Sequence, residues 1–351
     1  MTRAWKNFLL IRLPLALVAI GVVCQLVAAS LSQLPMRRNR IDEFALAVLN
    51  DHQPHRVVLL GDSIIRDATL QYAAGSSADV LNLTTQGFVG LPGDLFLLQR
   101  YLRSHNPPQH VVIAAAPDDY AVTFDPRMIH YYMWNTFSDP NERAFLKSHM
   151  PTIDARESYP AVLDLQERIV ERLLTLTKRS PARFDQPAPL PDPAAPVEPA
   201  SDNQADAEST QRRLDGHDLS LAPIYRDSVA EMCRLGRQYG FVLNVVWAPM
   251  PPAVAEGRKK SGQLAALDHQ LQDVFASIGC QTGPIFNMND VQTFTNFDSG
   301  AFHLRGSGWQ ERAAGILREY LQSLPGVSLQ RPSLLNANGQ APTDAITHTG
   351  L

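Results

Sequence analysis

The stretch His55-Arg56-Val57-Val58-Leu59-Leu60-Gly61-Asp62-Ser63 decides the fold that this sequence predicts. Its apolar run at about 56–60 is typical of a buried strand, and Gly-Asp-Ser follows where that strand would end. In open α/β sheets, ligands bind in the crevice beyond the carboxyl ends of the strands. A glycine permits a sharp turn there, so the sequence indicates Ser63 as a candidate nucleophile with an exposed hydroxyl. The alternative is that Ser63 only caps the helix that follows.

Apolar segments of strand length alternate with segments of helical period along most of the chain. This alternation predicts a parallel sheet that is covered on both faces. The predicted fold class is therefore α/β, with a three-layer α/β/α sheet of the flavodoxin-like type. The predicted strands lie at about 56–60, 78–83, 111–115, 241–247 and 283–286, and the helices at about 40–50, 94–104, 160–178, 219–239, 263–278 and 308–321.

A carboxylate and a histidine near the C-terminal end could activate such a serine. Asp298 stands five positions before the histidine in Asp298-Ser299-Gly300-Ala301-Phe302-His303. A serine nucleophile needs a base that takes its proton and an acid that holds the base, so we assign these roles to His303 and Asp298. Asp290 is the alternative acid. The alternative for His303 is a surface residue in a loop before a helix.

The Gly61-Asp62-Ser63 motif and the C-terminal Asp/His pair resemble the motifs of the GDSL/SGNH hydrolase superfamily. More closely, the chain resembles the membrane-tethered proteins of cell-envelope acylation, including those of teichoic acid D-alanylation and alginate O-acetylation. His303-Leu304 followed by Gly308-Trp309 is similar to the first of these groups. The resemblance covers residues 55–120 and 240–322 and implies an SGNH-type fold and a Ser-His-Asp triad.

The sequence departs from the superfamily pattern at two places. The superfamily places its acid three residues before the histidine, where Gly300 stands in this chain. Its Gly-x-Asn-Asp motif appears only as Ala116-Pro117-Asp118-Asp119. The superfamily's asparagine donates to the oxyanion hole, whereas the ionised carboxylate of Asp118 could only accept.

An oxyanion hole needs donors that point at the developing negative charge. We predict the backbone N–H of Ser63 as one donor and that of Gly87 as another, because a residue without a side chain lets its N–H approach the substrate. An ordinary turn after the second strand is the alternative for Gly87. Asp118 and Asp119 are predicted to lie at the substrate, or to hold a loop or a sugar hydroxyl.

The N-terminal segment is predicted to be a membrane element. Residues 13–34 are 22 positions without a charge, enough for a helix that crosses a hydrocarbon core of about 30 Å. We expect a retained anchor, and a signal peptide cleaved after Val27-Ala28-Ala29 is the alternative. The resemblance, rather than the flanking charges, predicts a single-pass protein of the bacterial inner membrane whose domain faces the periplasm.

The chain is divided into an anchor at 1–39, an SGNH-like α/β domain at 40–325 and a flexible tail at 326–351. An insertion at 120–218 interrupts the domain. Residues 181–199 contain seven prolines, so we expect the part at 181–216 to be disordered and dispensable for folding. The aromatic block Tyr131-Tyr132-Met133-Trp134 lines an acceptor cleft or forms the core of the insertion.

Composition and spacing argue against several classes of partner. A net charge of −4 without a basic stripe argues against nucleic acid. The sequence shows no metal-ligand spacing and no phosphate-cradling glycine loop, so we expect no metal and no cofactor. Three cysteines cannot build a disulfide framework. Cys233 and Cys280 could pair in an oxidising compartment, but we expect two buried free thiols.

Two functions of different class follow from these residues. The first is a serine acyltransferase or esterase that forms an acyl-Ser63 intermediate and passes the acyl group to a sugar hydroxyl or to water. The resemblance implies acetyl or similar groups of a cell-envelope polysaccharide or glycolipid. The second is a non-catalytic accessory protein that binds a glycan or a multipass membrane O-acyltransferase.

Overall fold

A computed structural model describes residues 5, 7–32, 54–70, 79–85, 89–121, 133, 136–137, 139–150, 219–297, 303–304 and 306–327. Several predicted features lie outside these residues. They are the helices at 40–50 and 160–178, the proline-rich segment at 181–216, the tail from 328 onward, Tyr131, Tyr132 and Trp134 of the aromatic block, Gly87 and Asp298.

The described helices and strands alternate over much of the chain. A π-helical segment, Phe8–Arg12, precedes the first helix, and a 3-10 turn, Pro117–Tyr120, follows the third strand. In chain order the elements are α1 (Leu13–Ser32), β1 (Val57–Gly61), α2 (Ser63–Leu70), β2 (Val80–Asn82), α3 (Gly90–Ser104), β3 (His110–Ala115), α4 (Pro140–His149), α5 (Pro223–Tyr239), β4 (Val242–Trp247), α6 (Pro252–Lys260), α7 (Gln263–Ile278), β5 (Phe286–Asn287), α8 (Met288–Val291) and α9 (Ser307–Ser323).

The chain divides into two compact units. The first comprises Met1–Glu43 and Asp125–Pro187, and the second comprises Phe44–Phe124 and Ala188–Leu351. In the first unit, the segment Phe8–Val27 has a mean hydropathy of 2.3 and none of it is buried. Its length and composition would allow it to cross a membrane, and a signal sequence has the same two properties.

Five parallel strands form the sheet of the second unit, in the order β2-β1-β3-β4-β5. Val57 pairs with His110 and Gly61 with Ala114, so β1 and β3 run side by side over their whole length. The prediction of an α/β fold with a parallel sheet is confirmed. The strand order reverses between β1 and β3, which is the place where doubly wound sheets bind their ligands.

A continuous apolar core covers one face of this sheet. Alternate strand residues point to the same face, and Val57, Leu59, Val112 and Val246 belong to a buried cluster together with side chains of α2 and α9. Helix α5 packs on both α3 and α7, and α3 also contacts β1 while α5 contacts β4. Because α2 is fixed in this core, its first residue has a fixed place beside the end of β1.

One cysteine prediction is wrong. Cys233 and Cys280, which are 47 positions apart in the sequence, form a disulfide with their Cα atoms 5.1 Å apart. Cys233 lies on α5 and Cys280 follows α7, and these helices pack together, which the spacing alone does not reveal. Cys24 is free and exposed.

Candidate active site

Gly61 ends β1 in a backbone conformation that favours glycine. Its φ is 146°, and a Cβ built at this position would overlap the carbonyl oxygen of Ala114 on the neighbouring strand. The N–H of Asp62 donates to that same carbonyl at 3.3 Å. A residue without a side chain is therefore required for β3 to approach the turn this closely.

Asp62 caps the helix that carries the candidate nucleophile. Its Oδ1 accepts from the backbone N–H of Ile64 at 2.9 Å and of Ile65 at 3.1 Å, which is the N-cap geometry. Its Oδ2 accepts from the N–H of Ala116 at 2.7 Å and thereby ties the helix start to the end of β3. Since Asp62 is the cap, the alternative in which Ser63 caps the helix does not hold, and Ser63 is the first residue of α2.

The hydroxyl of Ser63 faces the imidazole of His303. Ser63 Oγ and His303 Nε2 are 2.7 Å apart, although 240 positions separate the two residues in the sequence. An antiparallel bridge between Phe297 and Leu304 fixes the backbone next to His303. Leu304 and Trp309 are buried in the core that also contains side chains of α2. The same apolar core therefore positions both His303 and Ser63.

The other ring nitrogen of His303 lies near an acidic side chain, that of Asp67. His303 Nδ1 lies 3.8 Å from Asp67 Oδ2, and both side chains are about one-third exposed. Asp67 Oδ1 accepts from Arg66 Nε at 2.9 Å and from Arg66 Nη2 at 2.7 Å. The sequence analysis missed Asp67, although its position one helical turn after Ser63 is a signal that could have found it.

The other predicted site residues are only partly described by the structure. Asp298 and Gly87 lie outside the described residues. Asp290, the alternative acid, lies in α8, where its exposed side chain is 3.8 Å from Lys259. Asp118 is buried and accepts from Arg258 Nη2 at 2.8 Å, with the Arg258 side chain fully buried. This ion pair holds the turn after β3 against α6.

Asp119 belongs to an acidic cluster beside the turn between β1 and α2. Its side chain lies beside that of Asp62 and lowers the pKa of the Asp62 carboxyl. Asp94 and Tyr120 are also buried there, and in the described part of the chain neither Asp94 Oδ1 nor the Tyr120 hydroxyl has a partner. These four side chains line a cavity of about 10 Å³, which is room for about one water molecule.

Burial changes the protonation of this cluster. Burial raises the pKa of Asp62 above its ordinary 3.8, although bonds from Asp119 and from the backbone N–H groups of Ala116, Ile65 and Ile64 lower it. Burial raises the pKa of Asp94 well above 3.8, and the neighbouring charge of Asp62 raises it further. Both carboxyl groups therefore favour the neutral form more than an exposed aspartate does.

Comparisons with known proteins do not identify a family. No protein-family model matches the chain, and no curated protein matches it. Among solved structures, a protein of Streptococcus pneumonia whose name refers to platelet activating factor is similar at 10% sequence identity. The match covers 80% of this chain and 91% of that one, with a TM-score of 0.34. A likeness at this level carries no argument about fold or function.

The chemistry of the site follows from its own geometry. A serine hydroxyl that donates to a histidine nitrogen can lose its proton to that nitrogen as it attacks an electrophile. Ser63 is at the N-terminus of α2, and within the described part of the chain its backbone N–H has no acceptor. That N–H and the positive end of the helix dipole favour a negative charge beside the hydroxyl. The described residues contain no group of three or more His, Cys, Asp or Glu side chains suited to a metal ion.

Proposed function

We propose that this protein is a serine acyltransferase or esterase of the SGNH type, with a three-layer flavodoxin-like domain on a membrane anchor. The observation that carries the proposal is the 2.7 Å contact between Ser63 Oγ and His303 Nε2 at the carboxyl end of β1. The strand order, with its reversal between β1 and β3, supports the same fold and the same location for the site.

In the first half of the reaction, Ser63 Oγ attacks the carbonyl carbon of an ester and His303 Nε2 takes the hydroxyl proton. The carbonyl oxygen becomes negative, and the N–H groups of Ser63 and Gly87 are its proposed donors. The C–O bond to the leaving alcohol then breaks. His303 gives its proton to the departing oxygen, and the acyl group remains on Ser63.

In the second half, His303 takes a proton from water or from a sugar hydroxyl, and that oxygen attacks the acyl-Ser63 carbonyl. The bond to Ser63 Oγ breaks and the proton returns to the serine. Water gives hydrolysis, and a sugar hydroxyl gives transfer. The enzyme is restored in both cases, because His303 has gained and lost one proton in each half.

Asp298 is the proposed orienting acid. It follows Phe297 directly in the sequence, and Phe297 is bridged to Leu304, the neighbour of His303. Asp298 and His303 are therefore each the sequence neighbour of one residue of the same backbone bridge, although five positions separate them. The spacing therefore need not be the superfamily's three to serve the same purpose.

The proposed location is the bacterial inner membrane, with the catalytic domain in the periplasm. Two observations support it. The apolar N-terminal helix is long enough to act as an anchor. The disulfide between Cys233 and Cys280 is typical of an oxidising compartment and uncommon in the cytosol. A reducing cytoplasm would keep these two thiols free.

The proposed substrates are acetyl or similar groups on a cell-envelope polysaccharide or glycolipid, with a multipass membrane O-acyltransferase as a partner. This part of the proposal is based on the resemblance of Gly61-Asp62-Ser63 and His303-Leu304 to envelope acylation proteins. Asp118 and Asp119 do not enter the proposed reaction, because Asp118 is paired with Arg258 and Asp119 lies beside Asp62 in the acidic cluster.

Incubation of the purified full chain with p-nitrophenyl acetate tests the proposal. Mass spectrometry of the digested protein should find one acetyl group on the peptide that contains Ser63, together with release of nitrophenol. Ser63→Ala should lose both, and Ser277→Ala, a change on an exposed face of α7, should keep both. If the unaltered protein shows neither acetyl peptide nor hydrolysis, the accessory-protein function is favoured instead.

A further inference from the structure

The face of α2 that carries the candidate nucleophile also carries a carboxylate. Ser63 begins the helix and Asp67 stands four residues later, which places both side chains on one face, one turn apart. The imidazole of His303 lies over this face. Its Nε2 meets Ser63 Oγ at 2.7 Å, and its Nδ1 meets Asp67 Oδ2 at 3.8 Å.

The two oxygens of Asp67 have separate partners. Oδ1 accepts two hydrogen bonds from Arg66, at 2.9 Å from Nε and 2.7 Å from Nη2. The Arg66 side chain is only 8% exposed, so it is a fixed support rather than a mobile surface group. With Oδ1 held in this way, Oδ2 is the oxygen that remains directed at the histidine ring.

The distance of 3.8 Å is longer than a hydrogen bond. Contacts in an empty active site are often long and shorten when substrate binds. Even at this distance, a carboxylate beside a ring that is only 28% exposed favours a hydrogen on the nearer nitrogen, because solvent screens the interaction incompletely. For Nε2 to accept the Ser63 proton, the hydrogen of the neutral ring must be on Nδ1.

We infer that Asp67 is a positioning residue of the site: it holds His303 in the Nδ1–H tautomer and stabilises the charged ring that forms when Ser63 loses its proton. The inference rests on the proposed function for its catalytic consequence. The nucleophile and a carboxylate that orients its base then come from a single short helix, one turn apart, and Arg66 fixes that carboxylate. Asp67 acts in addition to Asp298.

The first experiment uses the ring itself and needs no activity. ¹⁵N chemical shifts of His303, assigned with His303→Gln, are measured in the full chain in detergent at alkaline pH, where the ring is neutral. In the unaltered protein the hydrogen should be on Nδ1. In Asp67→Asn a substantial share of the ring should carry it on Nε2, and Asp67→Glu should restore the original pattern. An unchanged tautomer in Asp67→Asn would overturn the inference.

The second experiment measures the rate at which a fluorophosphonate labels Ser63. Asp67→Asn should slow labelling roughly ten- to a hundredfold, less than the loss of about 10⁴ seen when a triad acid is neutralised, and Asp67→Glu should recover most of the rate. Asp273→Asn, a matched change at an exposed carboxylate on α7, should leave the rate unchanged. An unaffected rate in Asp67→Asn contradicts the inference.

The two failures can be told apart. If the unaltered protein is not labelled at all, the proposed function fails, and the tautomer measurement alone then decides whether Asp67 orients His303. If the unaltered protein is labelled and Asp67→Asn changes neither rate nor tautomer, the proposed function stands and Asp67 has no part in it.

Discussion

At the scale of single residues, a buried ion pair joins Asp118, in the turn after β3, to Arg258 of α6. The carboxylate oxygen and the guanidinium nitrogen are 2.8 Å apart, and neither side chain is exposed by more than 7%. This contact anchors α6 to the turn after β3.

Removal of one partner of this pair should destabilise the protein strongly. Arg258→Met leaves the Asp118 carboxylate buried without its counter-charge, and we expect the free energy of unfolding to fall by about 3–5 kcal/mol. Urea unfolding of the full chain in mild detergent measures the change. Lys260→Met removes an exposed i,i+4 pair with Glu256 and should cost no more than about 0.5 kcal/mol. Equal effects of the two changes would contradict the structural role of Asp118.

Asp94 makes stability depend on pH in a defined direction. Because burial raises its pKa well above 3.8, the folded protein keeps a proton that the unfolded chain releases. The folded state then binds more protons than the unfolded state. The contribution of Asp94 to stability therefore falls as the pH rises above the pKa that Asp94 has in the unfolded chain.

Asp94→Asn removes this dependence. The melting temperature of the variant, relative to that of the unaltered protein, should therefore increase between about pH 4 and about pH 8. Thermal unfolding followed by circular dichroism at several pH values measures it. For Asp290→Asn, at an exposed site, the melting temperature relative to that of the unaltered protein should stay the same across this pH range. A relative melting temperature of Asp94→Asn that falls over this range would show that Asp94 is ionised and stabilising in the folded protein.

At the scale of structural elements, the turn between β1 and α2 depends on one glycine. Gly61→Ala introduces a Cβ that overlaps the Ala114 carbonyl, in a backbone conformation that already disfavours side chains. The backbone of β3 must move, so we expect a loss of several kcal/mol, on the order of 3–5, or failure to fold. Gly315→Ala on α9, where a Cβ meets nothing within 4 Å, should instead stabilise the protein by up to about 1 kcal/mol. A folded Gly61→Ala of unchanged stability would show that β3 is not held this closely.

Elements with strong periodicity could be predicted from the sequence, and irregular ones could not. The helix Gln263–Ile278 was predicted at its observed bounds, because its apolar positions recur with the helical period and Gly279 ends it. Strand β5 has only two residues and lies at the edge of the predicted strand at 283–286. So short a strand forms only because its neighbour β4 supplies the partner.

Two missed helices show which local signals were overlooked. Helix α4 begins with a capping box, in which the Asp139 side chain accepts from the backbone and Glu142 reaches back to the cap. That Asp-x-x-Glu pattern is visible in the sequence. Helix α6 begins at Pro252, where the sequence analysis predicted no helix, although proline is favoured in a first helical turn.

At the scale of the whole molecule, the contacts that assemble the site are long-range. Ser63 and His303 are 240 positions apart, and the sequence analysis selected Ser63 from the end of a predicted strand and His303 from the motif around it. The sequence analysis missed the approach of Asp67 to His303 and the pairing of Cys233 with Cys280, and the place of Asp67 one helical turn after Ser63 is the local signal that it overlooked. Both depend on which helix faces lie next to each other, and that is decided by packing rather than by local pattern.

The disulfide should contribute substantially to stability. It closes a loop of 47 residues, and the chain-entropy account gives about 4 kcal/mol for a loop of that length. Cys233→Ser should lower the melting temperature of the protein purified from an oxidising compartment, whereas Cys24→Ser, at an exposed and unpaired position, should not. If thiol titration finds three free cysteines in protein taken from the membrane, the pairing and the proposed periplasmic location are both contradicted.

The central claim is that Ser63 and His303 act as one unit, and fluorophosphonate labelling of the full chain tests it most directly. The unaltered protein should be labelled once, on Ser63. Ser63→Ala should not be labelled. In His303→Ala the rate of Ser63 labelling should fall by at least about 10³-fold, because the loss of one member of a catalytic unit removes most of the effect of the whole unit. Labelling of Ser63 that is as fast in His303→Ala as in the unaltered protein, or no labelling in either, would contradict the claim.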